Sequence, residues 1–197
     1  IKPQDEVQQA DGASSDPLKV GFVYLTNPGD HGWTYAHEVG RQDLQAHFGD
    51  KIETNFVENV AEGPDAARVI RELVEQGNEV IFTTSFGYMD PTLKVSKEFP
   101  NVKFHHITGY KRSENMATGN IRFYERSYVQ GVVAGLKTKT NKIGYLGAFP
   151  IPEVVRGINA FQLGAQAINP KATTKVVWTS TWYDPTIESK AAQSLLN

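Results

Sequence analysis

Residues 18–34 read LKVGFVYLTNPGDHGWT, and this stretch decides the fold. Leu18 to Leu25 is a nearly continuous apolar run, the pattern of a parallel strand covered on both faces. The next residues, TNPGDHGW, carry the glycine, proline and aspartate of a loop. Thr34 to Phe48 then reads as a helix, and Gly49 suits the left-handed position that closes one. A strand that passes through a short loop into a helix is the repeating unit of an α/β chain.

The same alternation continues outward. A second strand falls near Ile52 to Val57. Gly63-Pro64-Asp65 starts a helix, with proline in its first turn and the aspartate at the positive end of the dipole. Ala66, Val69, Ile70, Leu73 and Val74 form one apolar stripe at helical spacing, and Gly77 ends it. Glu79 to Thr84 is the third strand. Asp90-Pro91 opens another helix, Pro100 closes it, and Val102 to Ile107 is the fourth strand. An irregular stretch follows, in which Met116 to Arg122 reads as a crossover between lobes.

Beyond it, Phe123 to Thr138 reads as a helix with Tyr128, Val132, Val133 and Leu136 turned inward. Gly131 and Gly135 give that helix a small-residue face for close packing. Ile143 to Leu146 is a strand. Pro152 begins a helix with Val154, Val155, Ile158, Phe161 and Ala165 at helical spacing. Lys175 to Thr179 is a strand, and Asp184-Pro185 starts a last helix through Leu196.

This order argues for doubly wound parallel sheets in two lobes. Residues 17–118 form a complete first lobe. Residues 119–197 form a second lobe that looks cut off, because two strands make a poor independent sheet. Residues 1–16 are polar and without an apolar period, which reads as a disordered leader or tether.

The chain has 197 residues, 40% hydrophobic and 21% charged, with a formal net charge of -2. That is an ordinary globular profile without a basic patch, so nucleic acid is not an expected partner. It has no cysteine, which leaves the redox compartment open. No apolar run approaches the roughly 18 residues that a membrane span requires.

In open parallel sheets, ligands bind beyond the carboxyl ends of the strands. Aromatic residues recur there: Trp33 after the first strand, Phe86 and Tyr88 after the third, Tyr110 after the fourth, Trp182 after the last. A flat apolar plate stacks on a base for roughly 1–3 kcal/mol. Two plates supply about 2–6 of the roughly 8 kcal/mol behind a micromolar site, so hydrogen bonds and lobe closure must add the rest. Asp30, Thr34, Ser85 and Asp184 are the candidate hydrogen-bonding partners. The expected ligand is therefore a small flat molecule.

Catalytic and cofactor readings have little to stand on. The chain has no GxGxxG fingerprint, no GxxxxGK[ST] phosphate loop and no GxSxG elbow. Successive strand residues His105 and His106 point to opposite faces and cannot chelate one ion together. His31 and His37 lack a convincing third ligand, so no metal is expected. A nucleoside hydrolase of doubly wound fold would want several aspartates after the first strand, and only Asp30 is there. A sensor domain of the same fold would look the same in sequence as a transport receptor.

The segments KVGFVYLTNPGDHGWTYAHEVGR, IFTTSFGYMDP, FHHITGYK, FYERSYVQGVVAGL and FPIPEVVRGINAFQLGA, in this order, resemble the basic membrane protein family. These are substrate-binding proteins of ABC transporters, related to purine nucleoside receptor lipoproteins. The resemblance runs from Leu18 to Leu196. It implies a type I periplasmic-binding-protein fold with two lobes and a hinge, a purine base or nucleoside as ligand, an ABC permease as partner, an extracytoplasmic location and no enzymatic activity. It implies that Trp33-Thr34 matches a stacking Phe-Asn pair of many relatives, and that Trp182 supplies the second plate. Threonine in place of asparagine removes an amide that could read a ring edge, and the chain looks like the branch of the family that handles adenine or a similar free base. Family lipoproteins begin at a lipidated cysteine. None is present here, so the expectation is either a soluble protein or a lipid anchor that belongs to the full-length protein.

Overall fold

The structure, a computed structural model, describes residues 16–29 and 31–196. The expected leader therefore lies almost wholly outside the described residues. The chain divides into two compact units, one ending at Asn120 and the other beginning at Ile121.

The first unit alternates strand and helix as β1 (Leu18–Val23), α1 (Trp33–Phe48), β2 (Ile52–Val57), α2 (Pro64–Glu75), β3 (Val80–Thr83), α3 (Met89–Glu98), β4 (Lys103–Ile107) and β5 (Met116–Gly119). The strands form one sheet in the order β2-β1-β3-β4-β5, and each neighbouring pair is parallel. Phe22 of β1 lies in register with Phe56 of β2 and Phe82 of β3. The Phe22 and Phe82 rings stack with centroids 4.9 Å apart. One side of the sheet buries Val23, Ile81 and Phe104 with Ile70 and Leu73 of α2 and Val95 of α3. The other buries Val20, Phe22 and Tyr24, with Leu44 of α1 packed on them.

Both ends of α2 follow from its sequence. Pro64 occupies the first turn, where its missing N–H costs nothing. At the other end Gly77 takes φ 89°. Its N–H donates to the Val74 carbonyl, and the Asn78 N–H donates to that of Leu73. These two bonds satisfy carbonyls that a helix end otherwise leaves without donors. Gly77→Ala is expected to destabilise the first unit by about 1 kcal/mol, since a side chain is strained at positive φ. A denaturant midpoint unchanged by the substitution would contradict this.

The irregular stretch after β4 holds an element that the sequence reading places elsewhere. Met116–Gly119 is the edge strand β5, parallel to β4, and the passage from the first unit to the second falls just after it, at Asn120–Ile121, inside the expected stretch. The loop that joins them, residues 108–115, contains no helix. Parallel neighbours usually need a longer connection. Here Asn115 braces the return, its Nδ2 and two protons set among the Ser96, Phe99 and Val102 carbonyl oxygens at 2.9, 2.9 and 2.8 Å.

The second unit contains α4 (Phe123–Lys137), β6 (Lys142–Gly147), α5 (Pro152–Ile168), β7 (Thr173–Trp178) and α6 (Pro185–Leu196). β6 and β7 pair in parallel. α4 and α5 pack through glycine. A Cβ on Gly131 or Gly164 would collide with the backbone carbonyl of Phe161 or Tyr128 across the interface, and one on Gly135 would lie 2.6 Å from the Ala165 carbonyl oxygen. This close approach corrects the expected facing of α4. Its buried residues are Ser127, Gly131 and Gly135. Tyr128, Val133 and Leu136 are exposed, Leu136 by 64%. Helices whose backbones touch leave no room for bulky side chains in the seam.

Candidate ligand-binding site

Trp33 is the first residue of α1. Gly32, at φ 94°, turns the chain into the helix just before it. The Trp33 indole Nε1 donates to the Thr84 carbonyl at 2.5 Å, which pins the ring across the carboxyl ends of β1 and β3. The side chain nevertheless remains 38% exposed. One turn on, the His37 ring lies 4.6 Å from the indole, tilted by 58°. Its Nδ1 meets the Trp33 carbonyl at 2.8 Å. Burial holds the His37 imidazole below its ordinary value, against the smaller upward pull of that contact.

Thr34 is buried, and its hydroxyl pairs with that of Thr26 at 2.8 Å. It braces the first loop and has little surface to offer a ligand. In the same loop Asn27 donates to both carboxylate oxygens of Glu58, at 3.2 and 3.0 Å. Asn27 Oδ1 accepts the Gly29 N–H at 2.9 Å. Asp30 lies outside the described residues.

After β3 the chain makes a short 3-10 turn, Phe86–Tyr88. Phe86 is half-buried, and its ring centre lies 6.4 Å from that of Tyr110. Tyr110, in the β4–β5 loop, is 64% exposed. Tyr88 belongs instead to the core. It is fully buried, and its hydroxyl donates to the Val60 carbonyl at 2.5 Å. Burial pushes its phenol well up. The 3-10 turn rotates Tyr88 inward while leaving Phe86 at the rim.

One carboxylate at this edge escaped the sequence reading. Glu62 Oε1 accepts the Ser85 hydroxyl at 2.5 Å and the Gly87 N–H at 2.8 Å. Glu62 lies in the loop after β2, which carries no aromatic. Its position beyond the end of a parallel strand was the signal that could have found it. Nearby, Lys111 pairs with Asp90 at 2.7 Å.

In the second unit, Trp182 follows β7. It is 36% exposed, and its ring lies 5.0 Å from that of Phe149, the residue that trails β6. Asp184 caps α6, its Oδ1 accepting the Thr186 and Ile187 N–H groups at 2.9 Å each. This carboxylate serves the helix end. Among the described residues no group of three or more His, Asp or Glu side chains could hold a metal ion.

The first unit therefore presents Trp33, Phe86 and Tyr110 at the carboxyl edge of a parallel sheet. Thr34 and Tyr88 brace the backbone beneath them. A doubly wound sheet with aromatic plates at that edge is the architecture of a small-molecule-binding α/β protein.

Residues 18–197 match the Bmp family, described as ABC transporter substrate-binding protein PnrA-like, and the chain belongs to that family. It is 55% identical over 184 residues to a purine-binding protein of Brucella abortus, covering 93% of this chain and 53% of the relative. It is 41% identical to a putative ABC transporter glucose-binding protein of Haloferax volcanii, covering 98% of this chain and 49% of the relative. The chain thus spans about half the length of these curated relatives. An ABC transporter solute-binding protein of Aeropyrum pernix shares the fold, with TM-score 0.76 at 20% identity, over 91% of this chain and 52% of the other. Among the described residues no helix is long and apolar enough to cross a membrane.

Proposed function

We propose that this chain is the ligand-capturing part of an ABC importer receptor that takes a purine base, adenine before its nucleoside. It works outside the cytoplasm, hands its ligand to a permease and returns it chemically unchanged. The observation that carries the reading is the Trp33 indole, pinned by its Nε1 yet 38% exposed, in a chain 55% identical to a purine-binding relative. In the first unit Trp33 offers the base a plate, and Trp182 is the corresponding aromatic face of the second unit. Phe86 and Tyr110 line the rim of the first unit, and Asp30 supplies a hydrogen-bond acceptor. Thr34, Tyr88 and Asp184 act through the fold.

A sugar is the competing ligand, because the Haloferax relative is named for glucose and a tryptophan plate also accepts the apolar face of a sugar ring. Calorimetry with adenine, guanine, adenosine, inosine and glucose separates the two. Heat with adenine and none with glucose is the expected result. Heat with glucose alone transfers the site to sugars, and silence with all four purines ends the purine reading. Trp33→Ala is expected to weaken adenine binding about thirtyfold, the equivalent of roughly 2 kcal/mol of lost stacking. An unchanged affinity would make Trp33 a packing residue.

A further inference from the structure

We propose that His106 is a positioning residue of the ligand site: its buried ring edge fixes the Thr108–Tyr110 turn and so aims the Tyr110 ring. The proposal rests on reading Tyr110 as part of that site. His106 is fully buried on β4, in register with Thr83 of β3. Its Nδ1 lies 2.9 Å from Thr83 Oγ1. Thr92 Oγ1, on α3, lies 3.0 Å from Thr83 Oγ1 and 2.7 Å from the Tyr88 carbonyl oxygen.

Thr92 Oγ1 turns its one proton toward Thr83 Oγ1 and the Tyr88 carbonyl, and Thr83 Oγ1 shares a hydrogen bond with His106 Nδ1. These contacts hold the ring by its Nδ1 side. Nε2 is buried without a hydrogen-bond partner among the described residues.

That bare edge faces the turn. A Cβ on Gly109 would lie 2.5 Å from His106 Nε2, nearer still to its Cδ2, and 3.2 Å from Met89 Cγ. The backbone at Gly109 runs in a slot between the imidazole and Met89 that only glycine fits. On one side Tyr110 N–H reaches Met89 Sδ at 3.4 Å. On the other, Thr108 takes φ 74° while its N–H donates to the Gly119 carbonyl at 2.8 Å. A β-branched residue persists in that region only where its surroundings over-determine it. The imidazole edge is the surface that does so here, and Tyr110 leaves the turn at the angle it sets.

The test has a part that needs no ligand. His106→Asn keeps an amide donor near Thr83 and withdraws the edge from Gly109. Gly109→Ala pushes the turn off the same edge with the polar chain intact, which covers failure of the first variant to fold. In each, hydrogen exchange at the Tyr110 amide is expected to rise about tenfold, as for a local opening that has become easier. Amides of α2 should keep their wild-type rates. Adenine affinity should fall about tenfold in His106→Asn, and the same substitution should do nothing in a Tyr110→Ala background, as a double-mutant cycle requires of a residue acting through another. An unchanged Tyr110 exchange rate in the folded variants, or an equal affinity loss in both backgrounds, would overturn the proposal. If wild-type protein takes no adenine, only the purine reading falls, and the exchange results still decide the role of His106.

Discussion

Replacing Gly131 and Gly164 together by alanine is expected to destabilise the second unit by about 4 kcal/mol. Two effects of opposite sign compete. Alanine inside a helix is favoured over glycine by about 1 kcal/mol at each position. Overpacking a well-packed seam costs typically 1–3 kcal/mol per site. The upper end applies, because the obstacles are backbone: the Phe161 carbonyl and the Ala165 nitrogen, 3.0 Å away, for Gly131, and the Tyr128 carbonyl and the Val132 nitrogen, 3.1 Å away, for Gly164. Neither can rotate aside as a side chain tip would, so α4 and α5 must separate. Gly40→Ala is the control. A Cβ there meets nothing within 4 Å, so only the propensity gain remains and the first unit should become slightly more stable. Denaturant unfolding in a Trp33→Phe background, read from Trp178 and Trp182, reports the second unit. A double variant that unfolds at the wild-type midpoint would show that the helices have room to spare.

The same pair of helices marks where sequence pattern stops being informative. Pro64 and Gly77 bound α2 by rules that act within one turn, and β2 falls on the expected residues. The facing of α4 does not yield to such rules. Counting bulky apolar residues turns Tyr128, Val133 and Leu136 inward, yet apolar side chains also cover much of any protein surface, and the seam selects for the absence of a side chain. β5 escapes for a related reason. Of its four residues only Met116 is buried, so it has no period to detect, and its identity comes from pairing with β4. At the site, Trp33 is legible because it sits between a glycine loop and a helix. Tyr88 lies only two residues beyond Phe86, but a 3-10 turn sends it to the core. Glu62 and His106 could not be assigned roles from sequence because their partners come from other elements, Ser85 and Gly87 for one, Thr83 and Gly109 for the other.

Unit 1 is expected to lose about 3 kcal/mol of stability through His106 as the pH falls from 6.5 to 4, the gap between ordinary and buried imidazole at roughly 1.4 kcal/mol per pH unit. Burial lowers the His106 imidazole to about 4, with a smaller contribution from the neighbouring charge of His105. In this window the unfolded chain takes up a proton that the folded chain refuses, so stability rises with pH. The contribution is complete above 6.5 and gone once the pH has passed below the folded value. His105 is also lowered by burial and acts with the same sign. Glu38 has its own window. The hydrogen bonds from Arg41 hold its carboxyl below the ordinary 4.5, so its contribution is present above that value and disappears only at more acid pH. His37, lowered by burial as well, acts in the same direction as His106. Urea midpoints at pH 7, 5.5 and 4.5 therefore report these three histidines clear of Glu38, and His106→Asn separates His106 from the other two. The His106→Asn variant should show a much shallower slope than wild type, and a slope equal to wild type would assign the acid sensitivity to another group. The imidazole that resists the proton is also the edge against Gly109, so the protection factor of the Tyr110 amide, its exchange corrected for the intrinsic pH dependence, should fall over the same pH range in wild type and stay level in His106→Asn.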